Sequence, residues 1–213
     1  MSKKISEIRT EYLKKTLSKN DVDGNPINQF KLWFDEALEC DVNEPTAMTL
    51  ATADKDGKVS ARIVLLKKVD EEGFTFFTNY ESAKGKELAE NPNAAIVFYW
   101  QELERQVRIE GKVKNTSEEE SDTYFKSRPL GSKLSAAISK QSEEVTDRNF
   151  LMKLRNDLEI ELNGREVPRP KNWGGYIIIP NGFEFWQGRE NRLHDRIEYK
   201  KENGNWKIRR LAP

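Results

Sequence analysis

The sequence predicts a mainly β protein with helices, an α+β chain whose antiparallel strands close toward a barrel. Three observations carry this. Short segments rich in Val, Ile, Phe and Thr are joined by the turn sequences Asp54-Lys55-Asp56-Gly57, Asp70-Glu71-Glu72-Gly73 and Glu202-Asn203-Gly204-Asn205, and connections this short pair strands antiparallel. Many short strands on such turns favour closure over an open sheet. Finally, a block of helical periodicity stands between an N-terminal and a C-terminal group of strands, which reads as an insertion into the barrel.

Each element follows from local pattern. Ile5, Ile8, Tyr12 and Leu13 recur at helical spacing and predict a short amphipathic helix. Asp21 to Pro26 is a turn-rich break. From Pro26 to about Cys40 a helix is expected, with Phe30, Trp33, Phe34 and Leu38 on one apolar face. Strands follow at Ala47–Ala53, Lys58–Val69, Phe74–Thr78, Ala94–Trp100 and Gln106–Lys114 as a meander, interrupted by a helix from about Ser82 to Glu90 that Asn91-Pro92 ends. Helices are predicted at Ser117–Ser127, Leu130–Lys140 and Thr146–Leu162, then a proline-containing connector over Arg165–Lys171. The chain returns to strands at Gly175–Ile179, Gly182–Gln187, Arg192–Tyr199 and Trp206–Leu211. The organisation is an N-terminal helical arm over 1–25 and a single domain over 26–213, with its helical insertion at about 117–163.

Composition excludes several classes. The 213 residues carry 36 Lys plus Arg against 36 Asp plus Glu, so no global field draws the chain to nucleic acid or a membrane surface. Cys40 is the only cysteine, which rules out an internal disulfide or a multi-cysteine zinc site and fits a reducing compartment. With one histidine and no carboxylate cluster beside it, a metal site is poorly supported. Met1 to Thr10 lacks the apolar core of a signal peptide, and no apolar run approaches membrane-spanning length. A soluble cytoplasmic protein is expected.

Four constellations carry candidate chemistry. If Arg192–Tyr199 is a strand, Arg192, His194 and Arg196 share one face. That face is either an anion site or a charged, solvated edge. Arg62 and Lys67 bracket Ile63, Val64, Leu65 and Leu66 with opposite parity, so they serve two anions, are realigned by a bulge, or snorkel at strand ends. Thr78, Ser82 and Lys84 surround a strand-to-helix turn whose free N–H groups suit a phosphate, although Ser82 as N-cap explains much of the same pattern. Tyr124 and Arg128 lie one helical turn apart before Pro129, with Ser132 opening the next helix, so a hydroxyl, a guanidinium and a serine can meet a second phosphate there. Gln106, Gln141 and Ser142 offer amide and hydroxyl groups to a heteroaromatic edge. Trp186 suits either stacking or core.

Taken together, these segments resemble one family through nearly the whole chain, the pyridoxine (pyridoxamine) 5′-phosphate oxidases. The resemblance is carried by Arg9-Thr10-Glu11-Tyr12, Arg62-Ile63-Val64-Leu65-Leu66-Lys67, Phe77-Thr78-Asn79, Glu104-Arg105-Gln106-Val107 and Tyr124-Phe125-Lys126-Ser127-Arg128-Pro129. It continues in Ser139-Lys140-Gln141-Ser142, Trp173-Gly174-Gly175, Phe185-Trp186-Gln187-Gly188, Arg192-Leu193-His194-Asp195-Arg196 and Arg210-Leu211-Ala212-Pro213. It implies an antiparallel split β-barrel that binds FMN and works as a homodimer with the flavin at the subunit interface. The implied reaction takes pyridoxamine or pyridoxine 5′-phosphate to pyridoxal 5′-phosphate, with oxygen as acceptor and hydrogen peroxide as product.

By the same resemblance, Arg62, Ile63, Val64, Leu65, Lys67, Phe77, Thr78, Lys84, Gln106, Gln141, Ser142, Trp186 and Arg196 are flavin contacts. Lys67, Tyr124, Arg128 and Ser132 clamp the substrate phosphate, and Arg192 and His194 are the catalytic pair over the substrate ring. Arg9 and Tyr12 belong to a lid that also touches substrate. Arg62 and Lys67 then face opposite sides because they serve different phosphates. Three positions depart from the family pattern: Ala83 stands where an arginine is common, with Lys86 as a possible substitute, Arg189 replaces a second glycine, and Phe77 replaces a tyrosine. The competing readings are a split-barrel flavin reductase or other FMN protein with a different substrate and, from another class, a non-catalytic nucleotide-binding barrel.

Overall fold

The computed structural model describes Lys4, Ile5 and residues 11–213. The first helix, α1 (Pro26–Glu39), begins where its sequence demands. Pro26 sits in the first turn, where no N–H is needed, and the Asn25 side chain accepts the Ile27 N–H at 2.9 Å. Ile27, Phe30, Trp33 and Ala37 form its buried stripe. Leu38, expected on that stripe, is 52% exposed because it lies at the stripe's edge in the final turn. The helix predicted across Ile5 to Leu13 falls largely outside the described residues; its described end, Glu11 to Leu13, is not helical.

The strands are β1 (Ala47–Ala53), β2 (Val59–Leu65), β3 (Lys68–Val69), β4 (Phe74–Asn79), β5 (Asn93–Trp100), β6 (Arg105–Asn115), β7 (Trp173–Gln187), β8 (Asp195–Glu202) and β9 (Asn205–Leu211). The remaining helices among the described residues are α2 (Ala83–Glu90), α3 (Glu118–Ser127), α4 (Leu130–Ile138) and α5 (Arg148–Leu162). The sheet runs β2-β1-β5-β6-β7-β4-β3, with β8 on β7 and β9 on β8. The expected meander therefore does not hold: β4 pairs with β7, Phe74 to Asn79 against Ile178 to Trp173, instead of with its sequence neighbour β5.

Two strand boundaries also differ from the sequence reading. The strand expected over Lys58–Val69 breaks after Leu65 and resumes as β3. The pair expected at Gly175–Ile179 and Gly182–Gln187 is one strand. Its Trp173–Ile178 stretch pairs with β4 and its Gly182–Gln187 stretch with β8, so Pro180, which has no N–H to donate, falls between the two ladders.

The chain divides into two compact units, crossing between them within β1, β5, β6 and β7. The first (Met1–Leu50, Ala95–Gly111, Pro180–Pro213) is built on aromatics: Phe30 meets Phe98 at 4.9 Å and Trp33 meets Phe185 at 5.2 Å. Phe30, Phe98, Phe185 and Tyr199 are fully buried, each worth roughly 1.5–3 kcal/mol relative to exposure. The second unit (Ala51–Ala94, Lys112–Ile179) carries a cluster of Phe125, Leu134, Val167 and Trp173, flanked by Phe77 and Tyr124. In α5 no residue is buried, so the apolar residues that predicted this helix mark only a half-buried stripe.

Candidate functional site

In the second unit a cavity of about 720 Å³ is lined by the cations Arg62, Lys67, Lys84 and Arg128. Thr78, Ser127, Ser132 and Gln141 add polar groups, Phe77, Tyr124 and Trp173 add rings, and Ile63, Val64, Leu65 and Pro129 complete the wall. Among the described residues no acidic side chain lines it.

Each cation is held differently. Arg62 on β2 donates to the Thr52 hydroxyl and, at 3.0 Å, to Glu87 of α2. Burial pushes the Glu87 carboxyl upward, but hydrogen bonds from Thr52, Ser60 and Arg62, with the Arg62 charge, hold it below the ordinary carboxylate value. Among the described residues Lys84 reaches neutral oxygens only, Gln141 Oε1 at 2.9 Å, Thr78 Oγ1 at 3.2 Å and Ser82 Oγ at 3.4 Å. Burial and the neighbouring Arg62 push its pKa down, with Glu87 opposing. Lys67 lies in the break between β2 and β3, its N–H on the Thr75 carbonyl at 2.8 Å. That break cancels strand parity, so Arg62 and Lys67 line the same cavity instead of facing opposite sides.

Arg128 is the C-cap of α3, in extended conformation at φ −71° and ψ 148°. Its guanidinium lies 4.6 Å from the Trp173 ring centre, an attraction between cation and ring face. Its Nη1 is buried with no hydrogen-bond partner among the described residues. Burial lowers its pKa, with Tyr124 opposing. Tyr124 stacks on Phe77 at 4.0 Å and 17°, and burial raises its hydroxyl pKa against the pull of Arg128. Ser132 sits in the first turn of α4. A smaller cavity of about 390 Å³ shares Arg128, Ser132, Gln141 and Trp173 with the first.

The start of α2 is less free than the sequence suggested. Ser82 Oγ accepts the Gly85 N–H at 3.3 Å and Ser142 Oγ the Ala83 N–H at 3.2 Å. Ser142 takes φ 79° to do so. Gly85 is obligatory here, because an added Cβ would lie 2.1 Å from the Tyr80 carbonyl oxygen. Lys86 is exposed and is not among the lining residues.

A second group lies in the first unit. Here β8 starts only at Asp195, since Asn191 and Arg192 adopt φ 55° and 62° in a short turn. Arg192 and His194 therefore do not share a strand face with Arg196, and the parity argument for that trio fails. Arg192 is exposed. His194 accepts the Arg189 N–H on Nδ1 at 3.1 Å and packs 4.6 Å from Trp186 and 5.8 Å from Tyr12. Burial and Arg192 lower its pKa, with Asp195 opposing. Arg196 is fully engaged, through Nε and Nη2 with Glu184 at 2.8 and 2.9 Å and through Nη1 with the Ala212 carbonyl. Gln106 is half-buried on β6, and Arg9 lies outside the described residues. Sequence reasoning missed Glu87 and Thr52, which orient Arg62, and Glu184, which holds Arg196; only the fold supplies those pairings. Trp173 was visible within a motif, but not as the platform under Arg128.

An antiparallel split-barrel α+β fold with a cation-lined cavity defines the class of protein. Its architecture matches PhzG from Burkholderia lata 383, solved with tetrahydrophenazine-1-carboxylic acid, at TM-score 0.87 and 34% identity over 91% of this chain and 95% of that one. The fold recurs in a pyridoxamine 5′-phosphate oxidase-related, FMN binding protein from Nostoc punctiforme at TM-score 0.69 and 14% identity, over 86% and 97% of the two chains. The model of the family described as pyridoxamine 5′-phosphate oxidase matches residues 34–153, and that of the pyridoxine 5′-phosphate oxidase C-terminal dimerisation region matches 173–213. Pyridoxine/pyridoxamine 5′-phosphate oxidases of Cyanothece sp. and Cupriavidus pinatubonensis are each 54% identical, covering 100% and 98% of this chain and 100% and 99% of their own. The chain belongs to the pyridoxine/pyridoxamine 5′-phosphate oxidase family.

Proposed function

We propose that the chain oxidises pyridoxamine 5′-phosphate or pyridoxine 5′-phosphate to pyridoxal 5′-phosphate with FMN, passing electrons to oxygen and releasing hydrogen peroxide, as a cytoplasmic homodimer. The observation that carries this is a cavity with four cations and, among the described residues, no acidic lining and a buried guanidinium nitrogen lacking a partner. Buried charge of that kind needs an anion. The match of 173–213 to a dimerisation region supports the homodimer.

The donor set fits a flavin mononucleotide beside a phosphorylated substrate. Thr78, Lys84 and Gln141 form one linked polar group, Arg62 lines the same cavity, and Lys67, Arg128 and Ser132 offer donors for a second phosphate. Ile63, Val64, Leu65, Phe77 and Ser142 complete the cofactor set of this unit, and Gln106, Trp186 and Arg196 are cofactor contacts that the family resemblance implies. When bound, the flavin supplies the two-electron acceptor.

The chain's own residues supply placement and electrostatics. Lys67, Tyr124, Arg128 and Ser132 anchor the substrate phosphate, so binding energy far from the reacting 4′ carbon becomes orientation of that carbon. Tyr124 stacked on Phe77 gives the clamp a rigid wall. Arg192 steadies the substrate's oxygen or amine. His194 accepts on Nδ1, so the neutral ring carries its proton on Nε2 and presents a donor to substrate. The amine product step needs water to release ammonia, and the alcohol does not.

The test is anaerobic addition of pyridoxamine 5′-phosphate to FMN-loaded protein. Loss of the yellow flavin absorbance is expected, with a far slower response to pyridoxamine, which lacks the phosphate. A flavin that stays yellow overturns the assignment.

A further inference from the structure

We infer that Arg189 and Asp195 form a latch that fixes residues 12–17 over the Trp186–His194 cluster, which makes Arg189 a positioning residue. The functional part of this rests on reading Tyr12 and His194 as substrate contacts.

Residues 12–17 have no secondary structure of their own, so their backbone groups must be satisfied from outside. Side chains do this one by one. The Lys14 N–H donates to Glu104 Oε2 at 3.1 Å. Arg189 Nη1 donates to the Lys15 carbonyl at 3.1 Å. The Leu17 N–H donates to Asp195 Oδ2 at 3.0 Å, and Arg210 Nη1 reaches the Leu17 carbonyl at 3.4 Å. Leu17 itself is 5% exposed, an apolar plug at the end of the strap.

Asp195 is the hub. Its buried carboxylate also pairs with Arg210 and lies 3.8 Å from Arg189 Nε, so the charges that would be costly alone neutralise one another. With the strap held, Tyr12 packs edge-on against Trp186 at 5.7 Å and against His194 at 5.8 Å. It rests on Gly188, where an added Cβ would come within 2.7 Å of the Tyr12 side chain.

Residue 189 thus acts twice. Its main-chain N–H sets the acceptor nitrogen of His194, and its side chain fixes the strap. A glycine here, as the family pattern leads one to expect, keeps the first contact and has no side chain for the second. Alanine does the same without adding backbone freedom, which makes it the cleaner probe.

The experiment is hydrogen exchange by mass spectrometry on the ligand-free full chain, comparing wild type, Arg189→Ala and Arg189→Lys. Loss of one charge-assisted bond at a partly exposed site should speed exchange in the strap about fivefold in Arg189→Ala. Arg189→Lys should fall between, and peptides from β4 should not change. In the same variants, KM for pyridoxamine 5′-phosphate should rise about fivefold with kcat within about twofold. Wild-type exchange in the Arg189→Ala strap, or an equal increase across the whole chain, overturns the latch. If wild type fails to oxidise the substrate, the functional reading falls, while the exchange comparison still decides the latch.

Discussion

Replacing Arg128 by methionine should separate binding from stability, because binding depends on its charge and stability depends on it little. In the ligand-free protein Nη1 is buried without a partner among the described residues, an unfavourable arrangement. The compensating contact is the Trp173 face at 4.6 Å, worth about 0.5–2 kcal/mol. Methionine keeps an apolar side chain on the ring and removes the uncompensated charge, so the net change should stay within about 1 kcal/mol, a shift of roughly 2–4 °C in Tm for a chain of this size. Binding loses a charge-assisted hydrogen bond to phosphate, about 1.5–3 kcal/mol, or roughly 10- to 150-fold at 1.4 kcal/mol per decade. Thermal unfolding with and without pyridoxamine 5′-phosphate, together with KM, reads both quantities. Unphosphorylated pyridoxamine is the control, since the two proteins should handle it alike. A drop of 10 °C or more in the ligand-free variant, about what several kcal/mol of lost stability produces, would falsify the reading of Arg128 as an unpaired anion anchor. So would an equal loss of affinity for both amines.

Two further outcomes follow. Arg192→Ala should cut turnover far more than it weakens FMN retention, measured by steady-state rates and by flavin release on gel filtration; equal losses would place Arg192 on the cofactor instead. His194 is the only histidine, so its titration is one resolved imidazole signal by NMR. Its midpoint should fall below 6.5, driven by burial and then Arg192, and move upward in Arg192→Ala. Because the folded state favours the neutral ring, its stabilising contribution is present above the unfolded pKa and is lost as pH falls through the lowered value. A midpoint above 6.5 would contradict the packing of the ring between Tyr12 and Trp186.

Elements whose cause is local were legible in the sequence. Asn25-Pro26 starts α1, Ser82 caps α2, and Asn203-Gly204, both at positive φ, closes the β8–β9 hairpin. What escaped depends on partners distant in sequence. Nothing near Pro180 says that β7 exchanges β4 for β8 there, and nothing near Phe74 says that β4 pairs with β7. Leu66-Lys67 reads as strand because both neighbours are strand-like, yet the chain breaks to reach β4. The run from Asn191 to His194 misled for another reason. Alternation assumes extended backbone, and positive φ at two non-glycine residues is invisible to pattern. The cavity residues themselves were named from motifs, but the means of holding each cation was not.

Those means explain how like charges can converge. Four cations around one cavity repel, and acidic lining would relieve the repulsion while also occupying the donors. The fold avoids that choice. Glu87 engages Arg62 without lining the cavity. Lys84 is oriented by neutral oxygens of Thr78, Ser82 and Gln141, which fix its direction and leave its charge intact. Arg128 is held by the face of Trp173, which attracts a cation while accepting no hydrogen bond from Nη1. The last two devices spend little of the positive charge presented to a ligand, whereas Glu87 offsets part of the Arg62 charge. A phosphate arriving in the cavity would relieve the residual repulsion, so the cost of assembling the site would return as affinity for anions and give no advantage to an uncharged competitor.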